Sequence, residues 1–330
     1  MIIIIGDVHF RAKEPFLTGL HQIFSHLISK YKDATVIFTG DFLDNSSPHW
    51  SVIDIAIDYL SKFKEVYIVE GNHDSSYIKG RALTAFKYRN NIHIIEEKTE
   101  KMIDGYHFLF LPHTDDVNTI VEYEKLVGTY DYVVTHLTHK KLQFKNEGMA
   151  FNMKAKAIIH GHIHVQFDFH DEDNGDQYNI VLGVPQVVKQ GEETQNFRIA
   201  KIGPEISPTA KAGIEFENLP VFMTIETVEF GKMPTSKTNY INVIGAPSVH
   251  AAKEMYKGFF LRNEGISLKR TELKQEDIQK VELDFSSKLL PKFLAFVKTK
   301  TEMPKEIMDA GVHYINIVAP LEDQNEDISA

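Results

Sequence analysis

Five short clusters hold the residues best suited to chemistry in this chain of 330 residues: Gly6-Asp7-Val8-His9, Gly40-Asp41-Phe42-Leu43-Asp44, Gly71-Asn72-His73-Asp74, Thr135-His136 and Gly161-His162-Ile163-His164. In extended chain, residues i and i+2 share a side, so Asp7 with His9, and His162 with His164, can face one metal ion. Each cluster alone is ordinary, since a strand-end Asp commonly caps a turn and a single His is commonly a surface or core residue. Together they hold four Asp, one Asn and five His, more than enough ligands for two ions. The sequence has no cysteine, which removes disulfides, thiolate nucleophiles and sulfur-ligated metals. A shell of oxygen and nitrogen suits manganese, iron, zinc or magnesium, and mixed His/Asp ligation leans from magnesium toward the transition metals.

Each cluster needs an element to position it. The apolar run Met1 to Ile5 reads as a strand buried on both faces, cut off at Gly6-Asp7. Phe16 to Tyr31 and Val52 to Phe63 carry helical periodicity, and Ala34 to Thr39 and Val66 to Val69 are further apolar runs. Strand, helix, strand, helix, strand predicts a parallel sheet of the α/β class with right-handed crossovers. Its strands would end at three of the clusters, and the glycines permit the sharp turns required there. Strands are also expected at Ile92 to Ile95, Lys101 to Ile103, Tyr106 to Leu111, Tyr132 to Thr135 and Ala155 to Ile159, with a helix near Val117 to Leu126. Val165 to Phe169 and Tyr178 to Leu182 flank an acidic turn as a hairpin. These elements form either one mixed sheet or two sheets packed face to face with helices outside.

Composition bounds the rest. With 43% hydrophobic and 25% charged residues the chain supports one large domain or two ordinary ones. No run approaches the roughly 18 apolar residues of a membrane span, and the short N-terminal run lacks the features of a signal peptide, so a soluble, cytoplasmic protein is expected. The formal charge of −10 argues against capture of nucleic acid by bulk positive charge. Residues 204–218, rich in Pro and Gly, read as a linker between a first domain, 1–203, and a second part. There, strands at Val221 to Phe230, Tyr240 to Ile244 and Phe259 to Leu261 surround a helix from Ser248 to Tyr256, a small α+β unit within 219–285. Residues 286–330 carry the amphipathic helix Leu289 to Val297, the strand-like Tyr314 to Val318 and an acidic tail.

The series GDVH, GDFLD, GNHD, TH and GHIH resembles the calcineurin-like metallophosphoesterase superfamily over roughly residues 1 to 200. The resemblance implies a four-layer α/β/β/α sandwich. It also implies one ion held by Asp7, His9, Asp41 and His164, and a second held by Asp41, Asn72, His136 and His162, with Asp41 bridging. Two ions roughly 3.5–4 Å apart can activate a water, clamp phosphate oxygens and stabilise a leaving oxygen, so the expected reaction is hydrolysis of a phosphoester by in-line attack. His73 is then the non-ligand partner that donates to the phosphate or leaving group, with Asp74 placed to orient or charge it.

The second part resembles the SbcD nuclease family, including the small subunit of phage recombination endonucleases, in layout more than in sharp motifs. Val181-Leu182-Gly183-Val184-Pro185-Gln186 also looks like that family's segment after GHxH. That resemblance implies a smaller α+β capping domain over the site and manganese-dependent exonuclease and endonuclease activity on DNA ends in recombination and repair. It further implies a homodimer and an SbcC-type ABC ATPase partner, in a bacterial or phage-infected cell. The apolar face of Leu289 to Val297 either docks that partner or packs in a core. The alternative is a small-molecule or cyclic-nucleotide phosphodiesterase, or a phosphatase, of the same superfamily. Of the remaining polar residues, His160 is expected in the core or behind the ligands, and Asp44 beside His73 or bracing its loop. His113 and His139 either line a substrate groove or sit solvated in loops. Lys140-Lys141 and Lys269-Arg270 are either local phosphate contacts or solvated lysine and arginine side chains.

Overall fold

The computed structural model describes residues 1–12, 16–76, 80–142, 148–186, 197–221, 225–235 and 240–268. The isoleucines Ile2–Ile5 form β1, and all four are buried. Because side chains alternate along a strand, Ile3 and Ile5 join one hydrophobic cluster and Ile2 and Ile4 another. Helix α1 (Phe16–Tyr31) follows and buries Phe16, Leu20, Ile23, Phe24, Leu27 and Tyr31, one stripe at helical period. Next come β2 (Thr35–Phe38), α2 (Trp50–Leu60) and β3 (Glu65–Val69), with the three strands parallel. Past β3, the two-residue strands β4 (Ser75–Ser76) and β5 (Gly80–Arg81) pair with each other. Strand β6 (Ile92–Ile95) then adds to β3 in parallel.

The chain now builds a second sheet. Strands β7 (Thr99–Ile103) and β8 (Tyr106–Leu111) form a hairpin across Asp104 and Gly105, both at positive φ, as a type I′ turn requires. Helix α3 (Val117–Glu124) starts at Asp116, whose carboxylate accepts from the Asn118 and Thr119 amides. Strands β9 (Thr129–Thr135) and β10 (Lys154–His160) continue the sheet in parallel, and the hairpin β11 (Phe167–Asp171) and β12 (Gln177–Val181) completes it. Strands β13 (Arg198–Ile202) and β14 (Glu215–Asn218) return to the first sheet.

Among the described residues there are thus two six-stranded mixed sheets, ordered β14-β13-β1-β2-β3-β6 and β11-β12-β10-β9-β8-β7. Of the two alternatives left open by the sequence, two sheets is the one adopted. They face each other through a shared cluster: Ile2, Ile4, Ile37, Tyr67 and Val69 from the first, and Phe108, Phe110, Tyr132, Val134, Ala157 and Ile159 from the second. Burying each such side chain is worth about 1.5–3 kcal/mol, so this interior is the main clamp between the sheets.

The stretch 204–218, expected as a linker, in fact ends in β14, which is hydrogen-bonded along β13. Neither strand stands out in sequence. Ile199 faces one cluster while Ala200 and Ile202 face the other, so no polar alternation appears, and Arg198 and Lys201 interrupt the apolar run to pair with Asp168 and Glu215. Further on, β15 (Ile225–Glu229), β16 (Tyr240–Ala246) and β17 (Phe260–Leu268) form a parallel three-stranded sheet with α4 (Val249–Met255), its start capped by Ser248. It has its own core of Val228, Ile241, Val243, Ala246, Ala252 and Tyr256. The expected docking helix Leu289 to Val297, the strand Tyr314 to Val318 and the pair Lys269-Arg270 lie outside the described residues. Among the described residues no helix is long and apolar enough to cross a membrane.

Candidate metal centre

All five clusters lie just beyond the carboxyl ends of β1, β2, β3, β9 and β10. The first two loops are laddered together: His9 N donates to the Asp41 carbonyl at 2.9 Å and Phe10 N to that of Phe42 at 2.7 Å. His9, Asp41 and His162 all adopt positive φ, at 48°, 41° and 70°. A non-glycine residue in that region costs about 1–3 kcal/mol, and such strain gathers where side-chain aim matters more than local comfort. Glycine is required where the loops meet. A Cβ on Gly40, itself at φ 131°, would stand 2.0 Å from His136 Nδ1, and one on Gly161 would stand 2.6 Å from Asp7 Oδ1.

Among the described residues, three overlapping groups could hold metal: Asp7, His9 and His164; His9, Asp41 and His73; and Asp41, His136 and His162, each with ligand atoms within 4.8 Å of one another. His9 Nε2 lies 2.9 Å from His164 Nε2 and 3.9 Å from Asp41 Oδ2. His136 Nε2 lies 3.3 Å from Asp41 Oδ2 and 3.2 Å from Asn72 Oδ1, and His162 Nδ1 is 2.8 Å from the same Asn72 oxygen. All seven residues singled out in the sequence are therefore neighbours here.

The donor set itself points to cations. His136 Nδ1 donates to the Thr39 carbonyl at 3.1 Å, which in the neutral ring leaves Nε2 as a bare lone pair aimed at two further acceptor oxygens. Asp7 is wholly buried, and although Oδ1 accepts from the Thr39 hydroxyl at 3.2 Å, Oδ2 has no hydrogen-bond partner among the described residues. Acceptors that converge out of water need a positive charge between them. The electrostatics agree. Burial pushes Asp7 up to about 6, and burial also favours neutral His136, but Asp41 and Asp7 outweigh it and hold that imidazole up at about 9. Burial would likewise raise Asp41, yet His136 and His9 keep it well below the usual carboxylate range. Without metal, a proton on His136 supplies the missing charge. Divalent ions would supply the same charge, and the residues that could hold them are Asp7, His9 and His164 on one side and Asp41, His136 and His162 on the other.

His73 also stands here, its ring edge-on to His9 at 4.9 Å and its amide donating to Asp41 Oδ1 at 2.8 Å. Asp74 departs from its expected task. Its buried carboxylate accepts from the amides of Phe42, Leu43 and Gly71 at 3.2, 2.8 and 2.9 Å, so it braces the second loop against the third. The His73 ring is oriented instead by Asp44, whose carbonyl accepts from Nδ1 at 2.8 Å. Burial, reinforced by Asp41, pushes Asp74 up to about 8.

Asp44 links outward as well, its carboxylate 3.7 Å from His9 Nδ1 and 3.5 Å from the Arg11 guanidinium. Thr39 escaped the sequence reading, although it holds both Asp7 and His136; the one signal was its place directly before Gly40 at a strand end. His160 is a core residue, fully buried between the Leu137 carbonyl and Asn179 Oδ1, both at 3.0 Å, and burial drives it down to about 4. His139 is neither solvated nor in a groove: it is buried, with Nε2 donating to Asp171 Oδ2 at 3.1 Å and its ring against Phe151 and Phe169. Lys141, offered as a phosphate contact, is paired with Asp171 at 2.6 Å and Asp173 at 3.2 Å. His113 does line a cleft, at 5.9 Å from the His162 ring and 6.1 Å from that of His136, and burial with the His136 charge lowers its pKa.

Comparison with known proteins agrees with this geometry at family level. No curated protein matches the chain. Among solved structures, an archaeal phosphodiesterase described as novel is similar at 17% identity over 66% of this chain and 99% of its own, with a TM-score of 0.36. The profile of the calcineurin-like phosphoesterases matches residues 1–166, the span holding all the candidate ligands, and the chain belongs to that family of metal-dependent hydrolases.

Proposed function

We propose that the protein is a two-metal phosphodiesterase of the SbcD type, cutting DNA from its ends in recombination and repair. The observation that carries the metal chemistry is the overlap of three potential ligand groups among the described residues, two of which share His9 and two Asp41. When bound, two divalent ions, manganese first among manganese, iron, zinc and magnesium, would neutralise the phosphate and activate water. Asp7, His9, Asp41 and His164 would hold one, and Asp41, Asn72, His136 and His162 the other. His73 contributes the proton. With Nδ1 donating to the Asp44 carbonyl, only the imidazolium form can also donate from Nε2 toward phosphate or leaving oxygen. Asp74 serves it indirectly, by pinning the loop on which it sits.

The DNA substrate rests on layout. The small sheet beyond residue 219 keeps the strand, strand, helix, strand order of a capping domain, and this reading includes the four-layer sandwich, a homodimer, an SbcC-type ATPase docking through residues 286–330, and a cytoplasmic setting. A smaller phosphodiester such as a cyclic nucleotide is favoured by two observations: the chain is acidic overall, and Lys141 is engaged by carboxylates. Assaying the manganese-loaded full chain on linear duplex DNA, cyclic nucleotides and a phosphoprotein, with and without the ATPase, separates these. Cleavage of cyclic nucleotides with DNA left intact under every condition would overturn the nuclease reading.

A further inference from the structure

A cleft of about 260 Å³ opens beside two of the candidate ligands, His136 and His162, and is lined also by His113, Thr114, Thr138, Ile120 and Met149. His113 belongs to none of the metal-holding groups among the described residues, yet its ring faces both ligand rings. Its position is fixed from both sides. Its own amide donates to the Glu70 carbonyl at 2.9 Å, tying the end of β8 to the end of β3. On the other side, Thr114 Oγ1 accepts from the Asp116 amide at 3.1 Å, and Asp116 caps α3. Asp115, 97% exposed and 3.6 Å from Nε2, is too solvated to hold the ring by charge, so packing and these anchors aim it. A polar ring fixed on the wall of a small cleft, next to where phosphate would meet the ions, is preorganised for a ligand.

Resting on the phosphodiesterase reading, we infer that His113 is a substrate-binding residue: its imidazole hydrogen-bonds a non-bridging phosphate oxygen while the cleft takes one organic arm of the ester. The volume suits a single ring-sized group, and Ile120 and Met149 give it an apolar wall. His73 and His113 then divide the work, one beside His9 giving a proton, the other beside His136 and His162 seating the phosphate.

His113→Phe keeps the ring and its packing but removes the hydrogen bond, and His113→Gln restores a donor. With the manganese-loaded full chain, the Phe variant should keep wild-type metal content by mass spectrometry. It should bind inorganic phosphate about tenfold more weakly by calorimetry and raise KM for bis(p-nitrophenyl) phosphate about tenfold with kcat within about threefold, and the Gln variant should recover part of both. Phosphate affinity and KM at wild-type values, or loss of metal from the Phe variant, would overturn the inference. A wild type that holds manganese but cleaves no phosphodiester would sink the activity reading instead, while the phosphate titration still decides the role of His113.

Discussion

Substituting Gly161 by alanine tests the construction of the metal centre with one methyl group. The added Cβ would sit 2.6 Å from Asp7 Oδ1, 2.7 Å from His136 Nδ1 and 2.8 Å from the Thr39 carbonyl oxygen, all well inside the 3.4 Å where ordinary contact begins. None of these neighbours can yield freely. Thr39 O is backbone, both side chains are buried, and the Gly161 amide is pinned to the Thr135 carbonyl at 2.8 Å. Overpacking of this kind costs about 1–3 kcal/mol of stability. Relief by moving Asp7 or His136 misplaces a ligand or its support, which should lower metal affinity by about 10–100-fold and kcat/KM by about 100-fold. Manganese content after dialysis and turnover of bis(p-nitrophenyl) phosphate read both effects, and thermal melting reads the stability. Gly105→Ala is the contrast: a Cβ there meets nothing within 4 Å but sits at φ 87°, so it should destabilise by about 1 kcal/mol while leaving metal binding intact. A Gly161→Ala protein with wild-type metal content and turnover would refute the close-packed centre.

Further outcomes are expected. His73→Ala should cut turnover by about 100- to 10,000-fold with metal content unchanged, and wild-type turnover in that variant would remove His73 from the reaction. Phe110→Ala, at a fully buried position with its ring stacked on those of Tyr67 and Phe108, should cost about 3–5 kcal/mol in denaturant melts; a loss under 1 kcal/mol would mean that the sheets do not depend on this interior. His160 is neutral when folded and titrates near 4, against 6.5 as its ordinary value, so the unfolded chain takes up the proton first as pH falls. Its contribution is complete above about pH 6.5 and is lost toward pH 4, about 3 kcal/mol in all. Urea melts at pH 7.5 and 4.5 should show a shallower pH dependence in His160→Gln than in wild type, and equal slopes would contradict this.

The five clusters, their order and the strands before them were readable because an apolar run, a glycine and an i, i+2 pair are short-range patterns set by strand geometry. The clusters were legible that way, and the resemblance to the calcineurin-like metallophosphoesterases picked the seven ligand candidates and His73 out of them. Which side chains then meet was decided by tertiary structure, because His9 faces His164 across 155 residues and His136 reaches Asn72 across 64, separations that no local period encodes. For the same reason Asp74 turned from its neighbour His73 to the amides of Phe42 and Leu43, which arrive from another strand end. The packing of two sheets buried His139, placed His113 on the cleft wall, and drew β14 out of an apparent linker to pair with β13 at the edge of the first sheet. A chain records the chemistry each loop can offer, whereas the loops' mutual distances follow only from the burial of Ile2, Ile4, Phe108 and Phe110 between the sheets.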